Sequence, residues 1–142
     1  FLETENLAPS KNSEKKFIVF ENQILRKIYG PINENGKWRI RRNQELRNLY
    51  QHPDIVAIIK SRRLRWAGHI VRRPENTLIK DVLEGRPAGT RPLGRPRLRW
   101  KDQVAKDIRK LQVTWEQAED REEWRRIVAE AKNQLWFEWP QR

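Results

Sequence analysis

Residues 53–73 read PDIVAIIKSRRLRWAGHIVRR and form the longest stretch of the chain with a helical pattern. Pro53 suits the first position of a helix, Asp54 in the first turn suits the helix dipole, and Pro74 ends the pattern. On a helical wheel the apolar residues share one broad arc, which predicts a face packed in the core. These residues are Leu64, Trp66, Ala67, Ile70 and Val71. The basic residues on an arc opposite part of it are Arg62, Arg65, His69, Arg72 and Arg73.

The charge of the chain is concentrated around this helix. The 142 residues include 31 Lys and Arg against 19 Asp and Glu, a formal net charge of +12. Residues 60–101 alone hold thirteen basic and three acidic side chains, whereas residues 102–142 are nearly balanced. The like charges of such a block repel one another unless solvent or an anionic partner surrounds them. The candidate partners are nucleic acid and a membrane surface. We expect nucleic acid and no membrane, because the basic helix uses its large apolar residues for packing.

Apolar periodicity predicts an all-α fold, a small helical domain of four to six helices. We expect a flexible arm over residues 1–13 and an N-terminal helical half over 14–84. The N-terminal half would hold helices from residue 14 to Gly30, over 43–50, over 53–73 and over 75–84. A basic Gly/Pro linker over 85–96 leads to a C-terminal helical half over 97–142, which ends in a Trp-rich tail. There the spacing predicts one helix ending near Leu111 and another that Thr114 and Gln117 cap as a capping box.

Trp38 and Ile40 alternate with basic residues in the segment before residue 43. This pattern fits either a short strand or an extended lead-in to the next helix. We favour the lead-in, because no second strand is evident to pair with it. Trp66, Trp100 and Trp124 fall on apolar stripes and are expected in the core. Trp38 lies off such stripes beside several arginines, so it is either a surface residue or a platform on which a base stacks.

The linker over 85–96 contains three Pro and three Gly among its twelve residues, so neither helix nor strand can persist there. Its end, Gly94-Arg95-Pro96-Arg97, has the short extended form with which arginines reach into a narrow minor groove. The alternative is a solvated linker stiffened by its Arg-Pro steps. Together with the basic arc of residues 62–73, the linker predicts a cationic strip that contacts phosphates.

No catalytic constellation is evident in the sequence. The acidic residues do not cluster, no Gly-Lys-Ser/Thr phosphate loop occurs, and the chain has no Cys and two His. We therefore expect no catalytic residue, no metal and no cofactor. The absence of Cys, of a signal-peptide pattern and of a long apolar run leads us to expect an intracellular, nuclear protein. Because the chain begins with Phe and contains no Met, we expect a piece of a longer product.

Several segments, in this order, resemble the C-terminal part of reverse transcriptases from non-LTR retrotransposons of the jockey-like, LINE-type group. The similarity extends over about residues 24–131, and its most specific part is Leu-Arg-Trp-Ala-Gly-His at 64–69 followed by Gly-Arg-Pro-Arg-x-Arg-Trp at 94–100. The segments are 24–31 (ILRKIYGP), 38–43 (WRIRRN), 45–46 (EL), 59–60 (IK), 63–72 (RLRWAGHIVR), 94–102 (GRPRLRWKD), and Trp115, Arg121, Trp124 and Arg125. Some members end in a Cys/His zinc knuckle, which this chain lacks.

This resemblance implies a parent polyprotein with an endonuclease and a polymerase upstream, and no catalytic residue in this chain. It also implies a role in holding template RNA or target DNA. The residues implied are Arg63, Arg65, His69, Arg72, Arg95, Arg97 and Arg99. With Arg62, Arg73 and Trp38 from the charge pattern, they form the predicted nucleic-acid site. The alternatives are a docking domain whose Trp-rich tail packs on the upstream polymerase, and a decayed transposon fragment without function.

Overall fold

The computed structural model describes residues 10–75, 77–80 and 100–138. These residues form five α-helices, one turn of 3-10 helix and one two-stranded hairpin, which confirms the prediction of a small all-α domain. The helices are α1 (Lys11–Tyr29), α2 (Asn43–Tyr50), α3 (Ile55–Val71), α4 (Trp100–Leu111) and α5 (Arg121–Gln134). The 3-10 turn is Glu116–Glu119, and the strands are β1 (Ile32–Glu34) and β2 (Lys37–Arg39).

Helix α3 lies at the centre of the fold and packs against α1, α4 and α5. One continuous core joins α3 to the C-terminal elements. Its buried members are Leu64, Ala67, Val104, Ile108, Ala118, Trp124, Val128, Ala131 and Leu135. Helix α1 covers another part of α3, and α2 packs against α1. These two helices bury Ile18, Leu25 and Leu46. The sequence pattern of α3 therefore has a large share in the architecture, since three of the other helices pack directly on it.

Helices α3 and α5 approach each other closely at Gly68. A β-carbon on Gly68 would overlap the indole ring of Trp124, so the contact requires a residue without a side chain. The indole nitrogen of Trp124 donates to the Leu64 carbonyl at 2.8 Å, and the Ser61 hydroxyl donates to the Val128 carbonyl at 3.1 Å. These contacts fix the register of α5 along α3.

The lead-in predicted before α2 is wrong, because the segment is the second strand of a hairpin. Strand β2 pairs antiparallel with β1, and Trp38 lies opposite Asn33. The connection is Asn35-Gly36, whose φ angles of 55° and 83° are the positive values that a two-residue hairpin turn requires. This Asn-Gly pair was the signal in the sequence that favoured a hairpin over a lead-in.

Arg39 ties the hairpin to α2. Its guanidinium forms ion pairs with Glu34 on β1 and Glu45 in the first turn of α2. The hydrogen bonds from Arg39, together with one from the Arg42 backbone amide, lower the pKa of Glu45 to about 2. The pairing explains why this short sheet persists on an otherwise helical domain.

Three helix boundaries differ from the predictions. Helix α1 begins at Lys11, inside the predicted arm, because the Ser10 hydroxyl accepts from the Ser13 amide at 3.2 Å. Asp54 precedes α3 as its N-cap and accepts from the Ala57 amide at 2.8 Å. The last helix begins at Arg121 instead of after Thr114, because the Asp120 carboxylate caps it.

The Thr114 capping contact exists in part, since the Gln117 side chain accepts from the Thr114 amide at 2.8 Å. It closes a turn that leads into the 3-10 segment and not into α5. Of the short helix predicted over 75–84, residues 78–80 are helical, residues 75 and 77 are not, and residues 76 and 81–84 fall outside the described residues. The linker over 85–96 and residues 1–9 also lie outside them.

The three tryptophans expected in the core have different environments. Trp124 is 2% exposed, and Trp100 packs partly buried against the core, as predicted. Trp66 is 44% exposed, so its prediction as a core residue is wrong. The reason is the position of α5: it crosses α3 over Gly68, which leaves Trp66 on the neighbouring open side of the helix.

Candidate nucleic-acid interface

A groove of about 760 Å³ runs between α3 and α5. Among the described residues, its lining includes six Lys and Arg side chains and no Asp or Glu. The basic residues are Arg62, Arg65 and Arg72 on the α3 side and Arg121, Arg125 and Lys132 on the α5 side. Ser61, Trp124 and Val128, which are buried, form part of its base. Cations on two facing walls with no acidic lining residue create a positive potential inside the groove.

The α3 wall brings together four of the residues predicted from the sequence. Arg62 and Arg65 are exposed, whereas His69 and Arg72 are half-buried. Arg72 Nη1 donates to the Ala118 carbonyl at 2.7 Å, which holds this guanidinium at one end of the groove. Guanidinium groups present several donors in a planar fork, an arrangement that suits phosphate oxygens.

Trp66 lines the same wall and was not predicted as a site residue. Its indole stacks on the His69 imidazole with ring centroids 5.2 Å apart and an interplanar angle of 23°. Arg73 Nη2 lies 2.9 Å from His69 Nε2. Because a guanidinium only donates, His69 Nε2 is the acceptor in this contact. Trp66 and His69 on α3 and Arg73 just after its end thus form one connected cluster.

The sequence reasoning missed the α5 wall completely. Arg121, Arg125 and Lys132 follow one another at intervals of four and seven, which places them on one face of the helix. That spacing was the signal available in the sequence. Glu122, Glu123 and Glu130 lie on other faces of α5 and balance these cations, so the net charge of the segment does not reveal them. Arg125 pairs with Glu122 at 3.3 Å, and both side chains are about two-thirds exposed. Such a surface ion pair is weak, so Arg125 can exchange it for a phosphate.

The structure contradicts one predicted site residue, Arg63. Its side chain is 0% exposed, and Nη2 lies 2.5 Å from Asp107 Oδ2 on α4. Asp107 is itself buried. A buried arginine with a carboxylate partner cannot reach a phosphate, so Arg63 stabilises the contact between α3 and α4 instead. The repeated Arg spacing of residues 62–65 does not reveal which arginine turns inward.

The remaining predicted residues do not meet at the groove. Trp38 lies on β2, is 70% exposed and is absent from the groove lining. Arg73 lies beside the groove, in contact with His69. Arg95, Arg97 and Arg99 fall outside the described residues, so their share in a common strip stays a prediction.

A second, smaller cleft of about 200 Å³ has mixed charge. Its lining contains Lys60, Lys106 and Lys110 together with Glu14 and other carboxylates. Burial raises the pKa of Glu14, although Lys60 and Arg63 act in the opposite direction. Paired charges of both signs leave little net field for an anion, which distinguishes this cleft from the groove between α3 and α5.

Two further features of the described residues bear on function. None of the helices in the part that the structure describes is both long and apolar enough to cross a membrane. Within those same residues, no three His, Asp or Glu side chains come together as a metal-binding group.

The chain is similar to an uncharacterized transposon-derived protein of Caenorhabditis elegans. The two are 29% identical over 127 residues, which cover 84% of this chain and 46% of the nematode protein. The chain therefore spans about half the length of this relative. No family model matches the chain. No solved structure matches it either. The similarity supports a transposon origin.

Proposed function

We propose that this chain is a nucleic-acid-binding region of a transposon-encoded protein and that it contacts phosphates in the groove between α3 and α5. The observation that carries the proposal is the groove lining, in which the residues that the structure describes supply six basic side chains and no carboxylate. The transposon-derived relative supports the same proposal, because movement of a transposon requires proteins that handle nucleic acid. The net charge of +12 adds long-range attraction to any polyanion.

The physical basis is counterion release. Each Lys or Arg that neutralises a phosphate frees condensed cations, so affinity falls with salt by a log–log slope of about −0.9 per contact for duplex DNA and about −0.7 for single strands. A groove with six cations allows several simultaneous contacts. The affinity would depend steeply on salt and little on sequence.

The resemblance of residues 24–131 to the C-terminal part of non-LTR reverse transcriptases extends the proposal. The nucleic acid would then be template RNA or target DNA, held for a polymerase domain of the same polyprotein in the nucleus. In this view the chain contributes binding and the polymerase domain contributes catalysis.

The test is fluorescence anisotropy of the whole chain with a labelled RNA strand and a labelled DNA duplex, at about 50 mM and about 200 mM salt. We expect binding at the lower concentration and a steep loss at the higher one. The variant Arg65→Gln/Arg125→Gln, with one change on each wall, should lower the magnitude of the salt slope by about 1.4–1.8. The matched control is Lys16→Gln/Lys27→Gln on α1, which removes equal charge away from the groove. Absence of binding at low salt, or equal effects of both double variants, would contradict the proposal.

A docking function is the second candidate, and one observation changes where it would act. Leu135 of the predicted docking tail is fully buried in the core of this chain, and the Phe137 amide donates to Asp54 at 2.9 Å. Trp139 falls outside the described residues. Exposed apolar residues instead follow one face of α1 at Phe20, Ile24 and Ile28. A polymerase domain of the same polyprotein would dock on this α1 face, and Phe20→Ser/Ile28→Ser should abolish that association while leaving nucleic-acid binding intact.

A further inference from the structure

We propose that Trp66 is a base-stacking platform and that the groove between α3 and α5 takes a single-stranded nucleic acid with an unpaired base on the indole. This inference rests on the proposed function and names the class of nucleic acid that the groove takes. The sequence pattern left Trp38 as either a surface residue or such a platform, whereas Trp66 lies among the basic side chains of the groove.

Trp66 is exposed although it belongs to α3, the helix with the most buried residues among those described. Its neighbours Leu64 and Ala67 are at most 1% exposed, whereas Trp66 is 44% exposed. An indole left in solvent costs hydrophobic free energy, and the core position at Gly68 is filled by Trp124 instead. A large aromatic surface that stays accessible inside a cationic groove is suited to a ligand that is both anionic and aromatic.

The Trp66 ring is held in place before any ligand binds. Trp66 stacks on His69 at 5.2 Å, and Arg73 bonds to His69 Nε2 at 2.9 Å. Trp66 and His69 lie three residues apart on α3, so the rigid helix backbone sets their spacing. Arg73 follows just after the helix, where its backbone amide donates to the Ile70 carbonyl at 3.0 Å. A platform held in this way loses little side-chain entropy when a base stacks on it.

Cationic side chains lie around the Trp66 ring. Arg62 lies one turn before Trp66, Arg65 is adjacent in sequence, and Arg125 and Lys132 line the same groove from α5. A base seated on the indole therefore has its own and neighbouring phosphates beside guanidinium and ammonium groups. Charge and aromatic surface together are the combination with which proteins bind single strands without sequence preference.

A duplex does not satisfy this arrangement, because both faces of its bases are covered by neighbouring base pairs. An aromatic side chain can stack only on a base that is unpaired. The groove volume of about 760 Å³ also lies in the range of sites that hold small molecules, which suits a few nucleotides of one strand. The same chemistry is offered by RNA and by single-stranded DNA.

The test compares natural and variant full-length chains on four labelled probes of equal length. The probes are an RNA strand, a DNA strand, a DNA strand whose sugars carry no bases, and a DNA duplex. We expect Trp66→Ala to weaken binding of the RNA strand, the DNA strand or both by roughly 5- to 150-fold, the range that stacking of one base supplies. Binding of the baseless strand and the duplex should be unchanged, since these probes keep the phosphates but offer no unpaired base. Trp66→Phe should restore most of the affinity, and a strand of one sugar type affected alone would identify RNA or DNA as the ligand.

Two further variants keep the result interpretable. Phe20→Ala removes an exposed aromatic residue from α1 and should change nothing, and circular dichroism should show the same helix content in every variant. If Trp66→Ala and Phe20→Ala behave alike, or if Trp38→Ala alone weakens strand binding, the platform assignment to Trp66 is overturned. In that case a loss of affinity in Arg65→Gln/Arg125→Gln still supports the phosphate groove. If no probe binds the natural chain at low salt, the groove proposal and the platform both fail.

Discussion

Arg63 Nη2 lies 2.5 Å from Asp107 Oδ2, and this ion pair joins α3 to α4 inside the protein. The two residues are 44 positions apart in the sequence, and both side chains are almost completely shielded from water. A second hydrogen bond, from Arg63 Nε at 3.1 Å, reaches the same carboxylate oxygen. The arginine is thus a structural residue in a helix whose other arginines line the groove.

Loss of one partner of this pair should strongly lower the stability of the folded protein. Arg63→Ala leaves the Asp107 carboxylate buried without its partner, and we expect a loss of roughly 3–5 kcal/mol in the free energy of unfolding. Urea titration followed by circular dichroism measures it. The control is Arg62→Ala, which truncates an exposed neighbour and should cost less than about 0.5 kcal/mol. Equal destabilisation by the two variants would contradict the buried pair.

Gly68 provides a second stability test. Gly68→Ala adds a methyl group that overlaps the Trp124 indole, so the two helices must separate or Trp124 must shift. We expect a net loss of roughly 1–3 kcal/mol from overpacking, although alanine favours a helix over glycine. In Gln23→Ala, an exposed site on α1, the same measurement should give a change within about 0.5 kcal/mol. A Gly68→Ala protein more stable than the natural chain would show that α3 and α5 do not cross at this point.

The start of α5 can be tested by its cap. Asp120 accepts the backbone amides of Glu122 and Glu123 at 3.0 and 3.2 Å, so Asp120→Ala should cost roughly 0.5–2 kcal/mol of stability. Thr114→Ala should cost less than about 0.5 kcal/mol, because its backbone amide still bonds to Gln117. Thermal unfolding of the two variants side by side makes the comparison. The reverse order would restore Thr114 as the cap of the last helix.

The hairpin should respond to acid through Glu45. Its pKa is lowered from 4.5 to about 2 by the hydrogen bonds from Arg39 and the Arg42 amide. A carboxyl group with a lower pKa in the folded state stabilises that state above its unfolded pKa, and the contribution disappears as pH falls through the folded value. Stability conferred by Glu45 should therefore be complete above about pH 5 and be lost towards pH 2. The unfolding temperatures of the natural chain and of Glu45→Gln should differ at about pH 5 and converge at the acid end. A difference that stays constant over this range would contradict the ion pair.

Much of the fold could be predicted from local pattern. The spacing of apolar residues predicted α1, α2, α3 and α4. An α-helix repeats every 3.6 residues, so the apolar residues of its buried face recur at intervals of three and four. The basic residues of α3 at 62, 65, 69 and 72 were also predicted together, since they share one arc of the helix. The hairpin was not predicted, although Asn35-Gly36 is a typical hairpin turn. Each strand has only three residues, which is too short for an alternating pattern to be recognised.

The sequence by itself determined where the chain is helical and where its positive charge is concentrated, since both depend on neighbouring residues. Only the tertiary structure decided which of the neighbouring arginine and tryptophan side chains are buried and which are exposed. Arg63 is buried because Asp107 on another helix receives it, and Trp66 is exposed because Trp124 occupies the crossing at Gly68. The second wall of the groove likewise appears only when α5 packs against α3. Burial and charge complementarity between distant segments are set by how the helices pack, and periodicity within one helix does not contain that information.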